Sequence, residues 1–176
     1  PRYVDTGDAW RLKVGFSYHS YRKAECYALI AIDWAQRGKK DSDKTAFVAG
    51  ALTPDGHILI LDVFNQQLRQ EGNAPALAAW CQRWRWGDIA GLIVASDDDM
   101  LSEAMVIACH QHKSIPDIKR LGIRSRSKLI RAQASIMRSQ DGKFLLPEKE
   151  EQWYAEFEEQ LRTFTGAEGA EDDIVD

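Results

Sequence analysis

Carboxylate side chains stand in three groups along the sequence, each next to an apolar segment. The groups are Asp33 after ALIAI (28–32), the run Asp97, Asp98 and Asp99 after AGLIVAS (90–96), and the run Glu171, Asp172 and Asp173 before Ile174. Carboxylates that approach one another closely repel, unless a proton or a cation neutralises them. Mg²⁺ and Mn²⁺ favour oxygen ligands of this kind, and a pair of such ions promotes phosphodiester hydrolysis. The acids therefore predict a two-metal hydrolytic site, provided that the fold brings them together.

Each acidic group also has a simpler interpretation. A lone Asp at the end of a strand commonly forms a turn. The run that begins at Asp97 suits the first turn of a helix, and the last run suits a solvated helix start. Their joint occurrence at strand ends and helix starts is what favours a shared site. Which acid of the run 97–99 is the ligand stays open at this point.

Apolar patterning predicts the elements that would position these acids. Predicted strands cover residues 28–33, 45–52 and 57–64, with a TPDG turn at 53–56, so these three strands form an antiparallel meander. Further strands are predicted at 90–96, 117–123 and 143–147, and helices at 74–86, 100–112, 127–140 and 148–164. The last of these helices places Trp153, Phe157 and Leu161 on one face, and a final helix is predicted to open at DDIVD (172–176). This order predicts an α/β fold with a mixed central sheet and helices on both faces.

Composition excludes several classes of protein. The formal net charge of −4 does not fit a basic nucleic-acid coat, and no apolar run approaches the ~20 residues of a membrane span. Three widely spaced cysteines fit buried thiols in a reducing compartment better than a disulfide framework. CHQH (109–112) has no second ligand pair, so zinc is not predicted. The chain begins without Met, and we expect it to be a piece of a longer protein.

Basic residues concentrate in one segment of this acidic chain. Between His110 and Arg138 the only acid is Asp117, and the basic residues are Lys113, Lys119, Arg120, Arg124, Arg126, Lys128, Arg131 and Arg138. Lys128 and Arg131 are three residues apart, so they share a face of the predicted helix. Such a concentration predicts a phosphate-facing surface; the alternative is a solvated helix face. We expect Arg124, Arg126, Lys128 and Arg131 to face phosphates, which would be those of DNA if the resemblance described next holds.

Taken in order, these motifs resemble the C-terminal nuclease domain of the large terminase subunit of tailed bacteriophages. The resemblance covers about residues 28–176. IDWAQRGKKDSDKTAFVAG (32–50) supplies Asp33 and Asp43, and LIVASDDDMLSEAM (92–105) supplies Asp97. SKLIRAQASIMRSQDGKFLLP (127–147) matches the Lys/Arg helix, the Gly turn and the short strand of the family, and FTGAEGAEDDIVD (164–176) supplies Asp172 and Asp173. A Gly that is usual after the second motif is replaced here by Met100 and Ser102.

The resemblance implies an RNase H-like fold and a metal-dependent endonuclease that cuts concatemeric double-stranded viral DNA during genome packaging. It implies two Mg²⁺ or Mn²⁺ ions held by Asp33, Asp97 and Asp173, the catalytic residues, with Asp43 and Asp172 as auxiliary ligands. It also implies an ATPase domain before residue 1, with residues 1–27 as the connection and residues 28–176 as the nuclease domain. The expected setting is the cytoplasm of an infected bacterium, with the small terminase subunit and the portal protein as further partners and no membrane contact.

Two other functions stay open from the sequence. The chain could be another RNase H-like nuclease, such as a junction resolvase or a transposase core. It could also be a non-catalytic module of a packaging motor, with its acids forming only a solvated rim. Metal dependence separates the enzymes from the module, because a catalytic site should bind Mn²⁺ through Asp33 and Asp97.

Overall fold

The computed structural model of the chain describes residues 1–35, 44–85, 91–97, 100–122, 128–149 and 151–164. Within these ranges the chain forms one nine-stranded sheet and four α-helices. The strands are β1 (Arg2–Asp5), β2 (Ala9–Val14), β3 (Ser17–Arg22), β4 (Tyr27–Asp33), β5 (Thr45–Leu52), β6 (Ile58–Gln66), β7 (Leu92–Asp97), β8 (Ile118–Leu121) and β9 (Phe144–Pro147). The helices are α1 (Gln70–Arg83), α2 (Met100–Cys109), α3 (Lys128–Gln140) and α4 (Tyr154–Thr163).

The strands follow the order β3-β2-β1-β9-β6-β5-β4-β7-β8 across the sheet. β4, β5 and β6 form the antiparallel meander that the sequence predicts, and β7 and β8 continue from β4 in parallel. Parallel neighbours require a crossover, which α2 supplies between β7 and β8. The predicted α/β, RNase H-like architecture with a mixed sheet is therefore confirmed.

Apolar side chains pack against helices on both faces of the sheet. On the face we call the back, Ile30, Phe47 and Val94 pack with Trp80 of α1 and Met105 of α2 in one buried cluster. On the opposite face, which we call the front, Phe157 of α4 packs with Ile60 and Val63 of β6. Burying one large apolar side chain contributes about 1.5–3 kcal/mol, so these clusters fix the helices against the strands. Trp80 belongs to this buried core.

The first 27 residues, which carry no predicted element, form three strands of the same sheet. β1 pairs with β2, and β2 with β3, in antiparallel register. β9 lies between β1 and β6 and is parallel to both. Buried Tyr3, Trp10 and Leu12 continue the back-face core, and the Tyr3 hydroxyl donates to the Ile60 carbonyl oxygen at 2.7 Å. That these residues also lead to an ATPase domain stays a prediction.

Several predicted boundaries were wrong. α1 begins at Gln70 rather than at residue 74, because its first turn is polar and carries no apolar spacing. α4 begins at Tyr154 rather than at residue 148, since the acidic residues before it have no side chain that the core could bury. Leu161 is partly exposed, and Tyr154 joins Phe157 on the buried face instead. The predicted final helix at 172–176 lies outside the described residues.

The buried thiols predicted from composition are confirmed by the structure. Cys26, Cys81 and Cys109 are all buried free thiols, and burial raises the pKa of each thiol. No helix within the described ranges is long and apolar enough to span a membrane.

Candidate active site

Asp33 and Asp97 end two neighbouring parallel strands. β4 and β7 pair in parallel with Ile32 opposite Ser96, and each aspartate is the next residue and the last of its strand. Neighbouring strands lie about 4.8 Å apart. The fold thus meets the condition set from the sequence for these two carboxylates, because it brings them to adjacent strand ends. We call the side of the sheet at which β4 and β7 end the acidic edge.

Both aspartates lie on the front face of the sheet. Side chains alternate along a strand, so Asp33 shares its face with Ala31 and Asp97 shares its face with Ala95, and these two alanines are themselves register partners. Asp33 is exposed and Asp97 is half-buried. The two carboxylates therefore open toward solvent on the same side of the sheet.

A buried polar chain on the other side fixes the strand end that carries Asp33. The backbone N–H of Ala35 donates to Thr45 Oγ1 at 3.3 Å, and Thr45 Oγ1 donates to Asn73 Oδ1 of α1 at 3.1 Å. Asn73 Nδ2 in turn contacts Met105 Sδ of α2 at 3.9 Å. Thr45 and Asn73 are buried, and buried polar groups are costly to leave unpaired. The chain ties the end of β4 to β5, α1 and α2.

A second polar group lies on the front face near the acidic edge, and sequence reasoning missed it. Glu156 Oε1 of α4 accepts hydrogen bonds from Asn65 Nδ2 at 2.7 Å and from Lys44 Nζ at 3.3 Å. Asp33, Ala46 and Asn65 are successive register partners across β4, β5 and β6. Glu156 is thus joined to the row that contains Asp33. Its position inside an acidic, helix-forming run gave no sign of this contact.

The remaining predicted ligands fall outside the described residues. They are Asp43, Asp172 and Asp173, and Asp98 and Asp99 also lie outside. Among the residues that the structure describes, no group of three or more His, Cys, Asp or Glu side chains could hold a metal ion. The described part of the site is therefore a pair of carboxylates.

This pair fits a hard divalent cation in its donor chemistry. Mg²⁺ commonly binds through one or two carboxylates and completes its octahedral shell with waters. Two carboxylates one strand apart repel each other, and a cation between them removes that repulsion. The front face is open at both side chains, so waters and a phosphodiester can reach them.

A basic residue of β8 lies near the acidic edge. Lys119 is exposed and is the register partner of Ala95, so it lies on the front face one strand from Asp97. β8 ends at the acidic edge, where Leu121 is the partner of Asp97, and β9 begins at the opposite edge beside Ile58. α3 follows β8 in the chain and contacts β9, and its first turn carries Lys128 and Arg131.

The structure describes only some of the residues that are predicted to contact DNA. The backbone of Lys128 and Arg131 is described within α3, whereas their side chains are not, and Arg124 and Arg126 lie outside the described residues. Arg138, at the other end of α3, donates from Nη1 to the Gly56 carbonyl oxygen at 2.9 Å. Arg138 thus anchors α3 to the β5–β6 turn at the edge opposite the acids.

Comparisons with known proteins address the fold. No protein-family model matches the chain, and no curated protein sequence matches it. Among solved structures, the chain is similar to the human cytomegalovirus terminase nuclease domain, with a TM-score of 0.61 and 13% sequence identity over 85% of this chain and 78% of that chain. The chain therefore has the fold of a terminase nuclease domain, and the resemblance that its motifs suggest is confirmed at the level of the fold.

Proposed function

We propose that this chain is the nuclease domain of a viral terminase large subunit, a Mg²⁺- or Mn²⁺-dependent endonuclease acting on double-stranded DNA. The observation that carries the proposal is the pair Asp33 and Asp97, held in register on neighbouring parallel strands and open on the front face. The terminase-nuclease fold supports the same reading. The substrate would be concatemeric viral DNA, cut during genome packaging in the infected host cell.

The carboxylates would act as metal ligands. Asp33 and Asp97 would hold two ions from rigid strand ends, Asp173 would complete the shell, and Asp43 and Asp172 would assist. When bound, the ions supply activation of the attacking water and stabilisation of the leaving oxygen. The strands contribute preorganisation, because the buried chain through Thr45 keeps the end of β4 in place without reorganisation during the reaction.

Cations on the same side would hold the DNA backbone. Lys119 lies one strand from Asp97 on the front face, and Lys128 and Arg131 in the first turn of α3 would add further phosphate contacts. Phosphate contacts of this kind fix the register of a duplex and carry no sequence information. Weak sequence preference is therefore expected. The ATPase domain, the small terminase subunit and the portal protein are proposed as partners of the intact protein.

Cleavage of supercoiled plasmid tests the proposal. Wild-type protein with Mn²⁺ should nick and linearise the plasmid, and excess EDTA should abolish the reaction. Asp33→Ala should be inactive yet folded, since Asp33 is exposed at the end of its strand. Asp117→Asn/Asp141→Asn is the matched control, because both residues are exposed acids away from the acidic edge.

Three outcomes would decide between the functions. Unchanged cleavage by folded Asp33→Ala would contradict the assignment of the site. Absence of cleavage by the wild-type chain with either metal would favour the non-catalytic motor module. Strong preference for a four-way junction over linear duplex would favour a resolvase.

A further inference from the structure

β2 and β3 form a hairpin, and β3 is the outermost strand of the sheet on the side away from β8. Val14 pairs with Ser17 across a two-residue turn, and Gly15 supplies the positive φ of 60° that such a turn requires. Trp10 and Leu12 are buried in the back-face core. The hairpin is therefore held rigidly from behind while its front face and its tip stay in contact with solvent.

The front face of β1, β2 and β3 carries cations and no carboxylate. Register and alternation place these residues on it: Arg2, Val4, Ala9, Arg11, Lys13, Tyr18, Ser20 and Arg22. Arg2 is engaged by the Tyr154 ring at 4.6 Å, and Arg22 forms an ion pair with Glu25. Arg11 contacts only the Tyr18 ring, at 5.3 Å, so Arg11 and Lys13 have no carboxylate partner among the described residues.

The tip of the hairpin is apolar and fully exposed. Phe16 has a relative accessibility of 107%, and Tyr18 beside it has 64%. A large aromatic side chain exposed to this extent buries little apolar area within the fold. Exposed aromatic residues next to unpaired cations are the composition of nucleic-acid contacts, in which cations bind phosphates and apolar side chains enter between bases.

We propose that the β2–β3 hairpin is a second DNA contact, in which Arg11 and Lys13 bind backbone phosphates and Phe16 enters the minor groove as an apolar wedge. The choice of DNA as the partner rests on the proposed function. Duplex DNA carries about one negative charge per 1.7 Å of helix axis, so it offers Arg11 and Lys13 a far denser line of anions than a second copy of this chain, whose net charge is −4.

The hairpin contact is separate from the acidic edge. β2 lies five strand positions from β4, a separation of roughly 24 Å at 4.8 Å per strand. α4 lies on the front face between them and presents Glu156, Glu158 and Glu159. The hairpin therefore holds duplex outside the stretch that reaches Asp33 and Asp97, and losing it weakens binding without changing the chemical step.

Fluorescence anisotropy of a labelled 30-base-pair duplex tests this inference. Titrations in EDTA with the Asp33→Asn/Asp97→Asn background exclude cleavage and metal binding at the acidic edge. Three further changes are compared in this background: Arg11→Gln/Lys13→Gln, Phe16→Ser, and Arg69→Gln/Lys143→Gln as the control. The control removes the same charge from exposed cations outside the hairpin.

Removing two phosphate contacts should lower the slope of log K against log salt by about 1.8. Between 50 and 200 mM salt, the background protein should then lose about 12-fold more affinity than the Arg11→Gln/Lys13→Gln variant does. Phe16→Ser should weaken binding severalfold and leave the slope unchanged, because no charge is removed. The control should retain the slope of the background protein within half a unit.

The outcomes separate this inference from the proposed function. Equal slopes in the hairpin variant and the control, or background affinity in Phe16→Ser, would overturn the hairpin contact. If a hairpin variant differs from the background protein in sedimentation coefficient but binds DNA equally well, the hairpin contacts another protein chain. That result would also overturn the DNA contact. Hairpin-dependent binding by a wild-type protein that cuts no plasmid in Mn²⁺ would contradict only the nuclease activity. Absence of any DNA binding would overturn both.

Discussion

Asp97 is the residue of the run 97–99 that the structure describes, and it lies beside Asp33 at the end of the neighbouring strand. It is the last residue of β7, and the β4–β7 register places it on the front face beside Asp33. Two unit charges about 4 Å apart interact by roughly 1–4 kcal/mol in a solvated environment. Such repulsion between neighbours is tolerable where a cation is bound between them.

The run 97–99 gives a ranking of substitutions. Asp97→Asn should lower the single-turnover cleavage rate at least 100-fold, whereas Asp98→Asn and Asp99→Asn should lower it less than tenfold. The reason is that Asp97 ends β7 and follows the β4–β7 register that brings it beside Asp33. Quenched-flow cleavage of a labelled duplex in Mn²⁺ measures all three. An inactive Asp98→Asn beside an active Asp97→Asn would contradict this placement of the ligand.

The sequence predicted the acidic residues of the site but not the residues that form hydrogen bonds around them. Asp33 and Asp97 were found because each follows an apolar strand, a pattern that is local in sequence. Glu156 and Asn73 were not found, because their contacts join residues far apart along the chain: Glu156 to Asn65, and Asn73 to Thr45. Neither residue stands in a pattern that differs from ordinary helix surface.

The strand ends carry their carboxylates in fixed positions because of the packing of neighbouring elements. The Thr45–Asn73 hydrogen bond joins β5 to α1 inside the back-face region, and both residues are buried. The sequence predicted β5 with its observed bounds and found α1 four residues too late. The omitted first turn of α1 contains Asn73, so the missed boundary and the missed support have the same cause.

Substitution of Asn73 tests this support. Asn73→Ala should lower the free energy of unfolding by about 1–3 kcal/mol, because it leaves the buried Thr45 hydroxyl without its acceptor. It should also slow cleavage at saturating metal, since the end of β4 loses one of its anchors. Urea unfolding and cleavage rates are measured together. Gln133→Ala on the exposed surface of α3 is the control, with an expected effect within 0.5 kcal/mol.

The two ends of α3 should respond differently to loss of charge. Lys128→Ala/Arg131→Ala should weaken DNA binding and lower the salt slope by about 1 per lost contact, with little change in thermal stability. Arg138→Ala should lower the free energy of unfolding by about 1 kcal/mol, because Arg138 donates to the Gly56 carbonyl oxygen, and should leave the salt slope unchanged. Binding across a salt series and thermal melting measure the two effects. An unchanged slope in the double variant would leave Lys128 and Arg131 as a solvated helix face.

On the scale of the whole molecule, the β5–β6 turn joins the amino-terminal strands to the rest of the sheet. Asp55 in this turn accepts hydrogen bonds from Thr53 Oγ1 at 2.6 Å and from the Tyr21 hydroxyl of β3, and His57 Nδ1 lies 2.9 Å from its Oδ1. Burial opposes the charged carboxylate, but the hydrogen bonds from Thr53, Tyr21 and His57 outweigh it and hold the pKa of Asp55 below its ordinary value. Burial and the bond to Asp55 raise the pKa of Tyr21 to about 12, so its hydroxyl stays a donor.

This turn makes stability depend on pH in the acid range. Below about pH 4 the unfolded chain protonates Asp55 while the folded chain keeps it charged, so the unfolded state binds more protons and stability falls as pH falls. The contribution is fully present above pH 4 and is lost on passing through the lowered pKa of the folded state. Urea unfolding from pH 6 to pH 2.5 should therefore show a smaller loss in Asp55→Asn than in the wild-type chain. Parallel curves would contradict the role of Asp55.

The sequence predicted the order of elements from residue 28 onward but not the reach of the sheet. Residues 2–22 mix aromatic and charged side chains without the continuous apolar runs that mark buried strands. They form β1–β3 because Tyr3, Trp10 and Leu12 find a surface, made by β5, β6 and β9, on which to pack. That surface exists only in the folded molecule, so no local sequence pattern could have predicted that residues 2–22 form strands.

Binding of Mn²⁺, measured by electron paramagnetic resonance of the free ion, tests the central claim most directly. The claim is that Asp33 and Asp97 form one metal site at the acidic edge. The wild-type chain and the Asp117→Asn/Asp141→Asn control should deplete free Mn²⁺ equally, whereas Asp33→Asn/Asp97→Asn should bind at least tenfold more weakly while melting as a folded protein. Equal Mn²⁺ affinity in the wild-type chain and in folded Asp33→Asn/Asp97→Asn would contradict the claim.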